Sequence, residues 1–357
     1  MARPCNPGHS QIGFNVMILG NIIAEGHSNN SMFGLEDSVH RYNPTHMPRL
    51  LRQAFLEKGI EINTPDINKG RITAFNLYFE GHQVVDSTGP NYLVALENPN
   101  INRLNENREY CSRFNRVFAW DKRLFDLPNV VRILIPHPLA CDSFAGFQER
   151  DIFSCLINAN KAFREQMPTD LYLERLQTIR WYEKNAADKF ELYGMGWGKP
   201  SPSFDIRSKL KRRIDRLRTQ LFGYRPFPSY RGEVRDKGEI LRRSRFSYCY
   251  ENSRDLSNYI TEKIFDSLVH GCVPVYWGAD NVLEYIPADC FIDRRNFKDT
   301  AEVHRFLLSV THEQYTAYQS QIMRFLSGDV AKEFRSERFV STVVNHVVQD
   351  LQGASLQ

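Results

Sequence analysis

The stretch YENSRDLSNYITEK, residues 250–263, concentrates polar groups able to do chemistry between two apolar runs, RFSYCY and IFDSLVHGCVPVYWG. The first run reads as a strand that ends at Glu251, Asn252 and Ser253. A helix should begin near Tyr259–Thr261, with Ile264, Phe265, Leu268 and Val269 on its buried face, and CVPVYWG as the next parallel strand. Free backbone N–H groups at such a helix mouth favour an anion such as a pyrophosphate. Lys263 would add a point charge there, and Glu262 could accept hydrogen bonds from sugar hydroxyls. The same residues also suit a plain helix start, in which Asn258 or Thr261 caps, Glu262 complements the dipole and Lys263 is solvated. That second account leaves Glu251-Asn252, at the end of the preceding strand, without a reason.

The surrounding elements must hold these groups in place. MPRLLRQAFLEKG reads as an amphipathic helix closed by Gly59, flanked by the strands GFNVMIL and IEIN; YLVALENPN, RVFAWD and VVRILIPHPL continue the rhythm. After a polar break around Pro168 come a helix (LYLERLQTIRWYEKNAADK), the strand FELYGMGWG and the strand–helix–strand unit described above. Strands alternating with helices predict an α/β protein with two Rossmann-like β/α/β domains facing a cleft, divided as 1–162 and 163–357. Gly194 and Gly196 in YGMGWG lack the GxGxxG spacing, and read as a turn that lets backbone approach a ligand. His27 and His137 read as packing or loop histidines. There is no Asp-x-Asp and no His/Cys/Asp cluster at ligand spacing, so no motif implies a resident metal.

At 357 residues, with 42% hydrophobic and 25% charged, the chain reads as globular and long enough for two domains. The net charge of +4 makes any anion recognition local. The seven cysteines form no CxxC and suit buried free thiols in a reducing compartment. No window reaches the ~18 apolar residues of a membrane span, and MARPCNPGHSQIGF lacks a secretory layout, so a cytoplasmic location is expected. The insertion RSKLKRRIDRLR, within 207–221, carries seven basic residues and one acid, with Leu210, Ile214, Leu217 and Leu221 at helical spacing. It suits a solvated helix packed on its leucine stripe, or a surface for anionic lipid or a glycolipid acceptor at the inner face of a membrane. Interleaved aromatics are lacking, which disfavours a nucleic-acid partner.

FSYCYENSRDLSNYITEKIFDSLVHGCVPVYWG resembles the donor-binding signature of the α-1,3/4-fucosyltransferases, with weaker resemblance in KGEILRRSRF, FELYGMGWG and ALENPNIN. The resemblance implies a GT-B fold and inverting transfer of L-fucose from GDP-β-L-fucose to a Gal/GlcNAc-type glycan, in α-1,3 or α-1,4 linkage, within bacterial-type surface glycan synthesis. It further implies Glu262 on the donor's ribose hydroxyls and Lys263 at the pyrophosphate. Tyr259 and Asn252 would line the pocket, with Glu251 supporting the loop or the fucose, and Gly194 and Gly196 beside the donor. Glu97, after a first-domain strand and before Asn98, takes the place of the catalytic base. An Arg ahead of an aromatic pair should face the phosphates; Arg180 abuts Trp181-Tyr182 directly and is nominated first, with Arg175 as the alternative. Asn258 stands where many members have Asp. GDP-fucose is the implied donor, with no tightly bound cofactor; a divalent ion could accompany the nucleotide. A catalytically inactive GDP-sugar or glycan-binding protein, or an enzyme using another GDP-sugar, are the competing expectations.

Overall fold

The chain is described from a computed structural model over residues 17–34, 45–83, 85, 89–139, 143–165, 167–202, 213–215, 217–218 and 220–354. Val-, Ile-, Phe- and Tyr-rich runs form two six-stranded sheets, and every strand pair in them is parallel. The first holds β1 (Ile18–Ala24), β2 (Ile60–Asn63), β3 (Phe75–Phe79), β4 (Asn91–Ala95), β5 (Arg116–Ala119) and β6 (Val130–Arg132), in the order β2-β1-β3-β4-β5-β6. The second holds β7 (Ile152–Ile157), β8 (Glu191–Tyr193), β9 (Tyr230–Gly232), β10 (Ser244–Tyr250), β11 (Val273–Trp277) and β12 (Ile292–Asp293), in the order β12-β11-β10-β7-β8-β9. Counted from its own first strand, the second sheet has the doubly wound 3-2-1-4-5-6 order, with its switch point between β7 and β10. The first sheet instead begins 2-1-3-4-5, the flavodoxin-like order. The expected two-sheet α/β architecture is present.

The division differs from a cut at 162/163. β7 lies before that point yet hydrogen-bonds to β10 and β8 of the second sheet. At the other end, the Ser336–Ala354 helix returns to the first sheet. Its Phe339, Val340, Val343, Val344 and Val347 share a core with Ile22, Leu51, Phe55 and Phe118, and Asp350 makes an ion pair of 2.7 Å with Arg116. An amphipathic helix buries its apolar stripe wherever a complementary face exists, and chain position does not dictate which domain supplies it. The strand read in GFNVMIL is shifted to Ile18–Ala24. Gly20 is needed there because the Phe75 ring occupies the space of a Cβ, 2.4 Å away.

Part of the basic insertion lies outside the described residues, Leu210 included. Where it is described, packing on a leucine stripe is not what is seen: Ile214, Leu217 and Leu221 are exposed, the last at 70%, and the adjoining Phe222 at 80%. The described cysteines Cys111, Cys155, Cys249, Cys272 and Cys290 are buried and unpaired; Cys5 and Cys141 lie outside the described residues.

Candidate active site

The carboxyl ends of the two sheets meet. Asn100 Nδ2 donates to Ser253 Oγ at 2.9 Å, Asn258 Nδ2 to the Trp120 carbonyl at 2.9 Å, and the Trp120 and Tyr259 rings pack at a 41° tilt with centroids 4.9 Å apart. In open parallel sheets ligands bind outside the carboxyl ends at the switch point. Here that point lies between Asn158, just past β7, and Glu251, just past β10.

Glu251 is fully buried. Its carboxylate accepts from the Thr261 N–H at 2.8 Å and the Thr261 hydroxyl at 2.7 Å, and Lys263 Nζ lies 3.3 Å away. Burial pushes its carboxyl above the ordinary value, opposed by Lys263 and Thr261. Glu251 therefore supports the turn from within. Thr261 is the N-cap of the Glu262–Leu268 helix, accepting from Lys263 N–H. Asn258 does not cap: its backbone is left-handed (φ 69°) and its amide spans the domains. The helix has only seven residues, so most of the positive potential at its mouth comes from the side chain of Lys263. Burial disfavours that ammonium, but Glu262 and Glu251 outweigh it and hold Lys263 protonated beyond its usual range. Glu262 has a side chain 49% exposed. What burial it has would raise its carboxyl, but Lys263 and Lys237 dominate and hold it well below the usual carboxylate range. Glu262 is thus an ionised acceptor open to solvent beside a largely covered cation.

The two nominated arginines part company. Arg175 is 2% exposed; it donates to the Tyr250 carbonyl at 2.6 Å and to Asn252 Oδ1 at 3.1 Å, with its guanidinium 4.7 Å over the Tyr172 ring. Its Nε has no hydrogen-bond partner. Burial lowers its proton affinity while Tyr172, Glu251 and Glu262 act against that, so it shares the field of the cluster. Arg180 lies elsewhere, bonded to Glu183 and the Pro226 carbonyl over the Phe227 ring. The arginine brought to the site is Arg175, because it shares the helix face of the buried Leu171, Tyr172, Thr178, Ile179 and Tyr182, whereas Arg180 falls off that face. Asn252 ties the groups together, its Nδ2 lying 3.5 Å from the Tyr259 hydroxyl. Burial, then the charges of Glu251 and Glu97, push the Tyr259 phenol well above its ordinary value.

Glu97 stands on the opposing side, after β4. Burial raises the Tyr172 phenol; Arg175 and Lys263 pull it down and Glu97 pushes it up. The Glu97 loop reaches the 251–263 turn through Asn100, whose amide donates to Ser253 Oγ. The loop holding Glu97 is tightly bonded. Trp120 Nε1 donates to the Leu96 carbonyl at 2.9 Å, and Asn98 N–H to Glu97 Oε1 at 2.8 Å. The Glu80 carboxylate accepts from the Glu97 N–H at 3.0 Å. Burial raises the Glu80 carboxyl to about 7, against the pull of the Glu97 N–H and the Asn105 amide and with a contribution from Glu97's charge. Gly194 (φ 115°) and Gly196 (φ 86°) do form a turn after β8. Its first constraint is internal: a Cβ on Gly194 would lie 2.2 Å from the Asn158 carbonyl. No described contact joins these glycines to Glu251–Lys263. His137 is packed against Phe265, centroids 4.5 Å apart.

Residues 206–336 match the model of glycosyltransferase family 10, the fucosyltransferase C-terminal region. That span contains the whole Glu251–Lys263 cluster. That stretch, a little over a third of the chain, is similar to the fucosyltransferase family. The chain is 44% identical over 69 residues to a putative fucosyltransferase-like protein of Arabidopsis thaliana (19% of this chain, 13% of the relative). It is 31% identical over 85 residues to the α-(1,3)-fucosyltransferase FucT of Helicobacter pylori (24% and 17%). It is also 35% identical over 91 residues to mouse 4-galactosyl-N-acetylglucosaminide 3-α-L-fucosyltransferase 9 (24% and 25%). These alignments span a quarter or less of each relative's length. In three dimensions the chain is similar to an α1,3-fucosyltransferase solved with GDP (TM-score 0.52, 14% identity, 95% of this chain and 94% of the other). It is also similar to HepE of Anabaena solved with UDP-glucose (TM-score 0.53, 8% identity, 94% and 100%). At that identity the likeness concerns the fold, which is GT-B.

Sequence reasoning alone did not select Asn158, Lys237, Asp266 or Glu80. Lys237 Nζ pairs with Asp266 at 2.8 Å beside Glu262, and burial raises the Asp266 carboxyl to about 6 against the pull of Lys237. Asp266 lies one helical turn beyond Glu262, a spacing readable in TEKIFDS; nothing local marks the other three.

Proposed function

We propose that the protein transfers L-fucose from GDP-β-L-fucose to a hydroxyl of a Gal/GlcNAc-type glycan, with inversion. The observation that carries this reading is the join between the Glu97 loop and the 251–263 turn: Asn100 Nδ2 donates to Ser253 Oγ at 2.9 Å, and Trp120, packed on Tyr259, donates to the Leu96 carbonyl at 2.9 Å. Glu97 takes the acceptor hydroxyl proton as that oxygen attacks the anomeric carbon. The new C–O bond forms as the bond from that carbon to the β-phosphate oxygen breaks, turning the β-linked donor into an α-linked product. Charge gathering on the departing GDP is met by Lys263 and by Arg175, whose Nε is unpartnered. Glu262 accepts from ribose hydroxyls, while Asn252 and Tyr259 shape the pocket and Glu251 holds the turn. Asn158 and the Gly194–Gly196 turn border the donor on the β7–β8 side. Among the described residues no three-carboxylate, histidine or cysteine cluster offers a metal cage, and no residue is assigned to one.

The relatives' names support the chemistry: one is an α-(1,3)-fucosyltransferase, another acts on 4-galactosyl-N-acetylglucosaminide. We place the reaction at the inner face of a membrane, in surface-glycan synthesis, with the exposed Ile214, Leu217, Leu221 and Phe222 and the neighbouring basic residues resting on anionic lipid. Among the described residues no helix is long and apolar enough to cross a membrane. The test incubates wild type and Glu97→Gln with GDP-fucose and a panel of galactose- and N-acetylglucosamine-terminated acceptors. Wild type should release GDP with at least one acceptor, and Glu97→Gln should lose ~10²–10⁴-fold in kcat with GDP affinity retained. An unaffected Glu97→Gln would refute the base assignment. Binding of GDP-fucose without transfer would make the protein a sugar-nucleotide-binding module, and preference for GDP-mannose would change the donor.

A further inference from the structure

We infer that Glu80 is a positioning residue that holds Glu97 at the angle its proton transfer requires; the inference rests on the role proposed for Glu97. Glu80 follows β3, the neighbour of β4, and its own N–H donates to the Val94 carbonyl at 2.9 Å. Its backbone is left-handed, with φ 68°. A residue with a Cβ occupies that region at a cost, and such strain persists where the surroundings over-determine it. Here the surroundings do so. One carboxylate oxygen accepts from the Leu96 N–H at 3.2 Å and the Glu97 N–H at 3.1 Å; the other accepts from the Glu97 N–H at 3.0 Å and from Asn105 Nδ2.

Asn105 completes the grip. Its Nδ2 also donates to the Glu97 carbonyl at 3.0 Å, and its Oδ1 accepts from the Gly81 N–H at 2.9 Å, tying the amide back to the residue after Glu80. Both backbone polar groups of Glu97 are thus held by one Glu80–Asn105 pair. The Leu96 and Glu97 N–H groups and the Asn105 amide all donate to the Glu80 carboxylate, so it serves as an acceptor on both oxygens. None of these bonds reaches the Glu251–Lys263 cluster, which separates the grip on Glu97 from the binding of the donor.

The test compares wild type, Glu80→Gln, Glu80→Asp, Glu97→Gln and the double variant Glu80→Gln/Glu97→Gln. Glu80→Gln keeps the size of the side chain but presents a donor where donors already point. It should lower kcat at least ~10-fold, with Glu80→Asp falling between it and wild type. KM for GDP-fucose and GDP binding should stay within about twofold, because the donor side is untouched. If Glu80 acts through Glu97, the double variant should be no slower than Glu97→Gln alone. Hydrogen exchange followed by mass spectrometry should show the Leu96 and Glu97 amides exchanging faster in Glu80→Gln, with the β7–β12 sheet unchanged. A Glu80→Gln kcat within twofold of wild type, an additive double variant, or unaltered exchange at Leu96–Glu97 would each overturn the inference. Weakened GDP binding in step with kcat would overturn it too, by showing a general loss of structure. Absence of transfer by wild type is a different failure, that of the functional reading; the exchange measurement would then still decide whether Glu80 holds the loop.

Discussion

Replacing Arg175 and replacing Arg180 should have unequal consequences, although both lie in one helix and either could serve a phosphate. Arg175 is 2% exposed and makes two hydrogen bonds, at 2.6 Å to the Tyr250 carbonyl and 3.1 Å to Asn252 Oδ1. With charge-assisted bonds contributing roughly 1.5–3 kcal/mol each, Arg175→Ala should lose about 3–6 kcal/mol of stability. The Arg180 side chain is 47% exposed in its pair with Glu183, and its guanidinium lies 4.0 Å from the Phe227 ring centroid. An exposed pair is worth ~0.2–1 kcal/mol, an exposed cation–π contact ~0.5–1 kcal/mol and the half-exposed bond to the Pro226 carbonyl about 1 kcal/mol, so Arg180→Ala should lose about 2–3 kcal/mol at most. Urea unfolding followed by tryptophan fluorescence reads both values. Arg175→Lys keeps a charge without the planar fork and should fold better than Arg175→Ala. By isothermal titration it should bind GDP at least ~10-fold more weakly than wild type, about 1.4 kcal/mol, while Arg180→Ala stays within about threefold. If Arg180→Ala lost GDP binding and Arg175→Lys did not, the assignment of Arg175 to the donor phosphates would be wrong.

His137 is buried, and burial lowers its pKa to about 4; Glu262 and the Ile260 carbonyl oppose that shift, while Lys263 and Lys237 add to it. Because the folded state binds this proton less well than the unfolded chain, stability should be full above about pH 6.5 and decline as pH falls towards 4, by roughly 3 kcal/mol for this group. His137→Phe, a ring of similar shape against Phe265, should flatten that part of the unfolding-midpoint profile; identical slopes in wild type and variant would exclude His137 as the cause. Vesicles containing phosphatidylserine should co-sediment the full chain, and a chain lacking residues 207–221 should stay in the supernatant with its GDP affinity intact. Equal pelleting of the two chains would remove the lipid contact proposed for that segment.

Much of the donor side was legible because it is local. Strand, turn, Thr261 cap and helix run consecutively through residues 244–268, and their periodicity switches from two to 3.6 within that stretch. Side-chain phase was legible too, though it needed the right use. Positions 175 and 180 are about 140° apart around a helix, and only Arg175 falls among the buried Tyr172, Thr178 and Tyr182. The strand-end position of Glu97 was visible in YLVALENPNIN, but not what grips it, since Glu80 and Asn105 reach it from other parts of the chain.

The sequence by itself determined the alternation of strands and helices, and hence two parallel sheets, and it carried the fucosyltransferase resemblance in one contiguous motif. Only the tertiary structure decided which sheet β7 joins, where the Ser336–Ala354 helix packs, and that the Glu97 loop meets the 251–263 turn through Asn100 and Ser253. The physical reason is range. Hydrogen bonding within a turn and helical phase are set over a few residues, whereas the choice among apolar faces and the meeting of distant charges depend on how the whole chain closes.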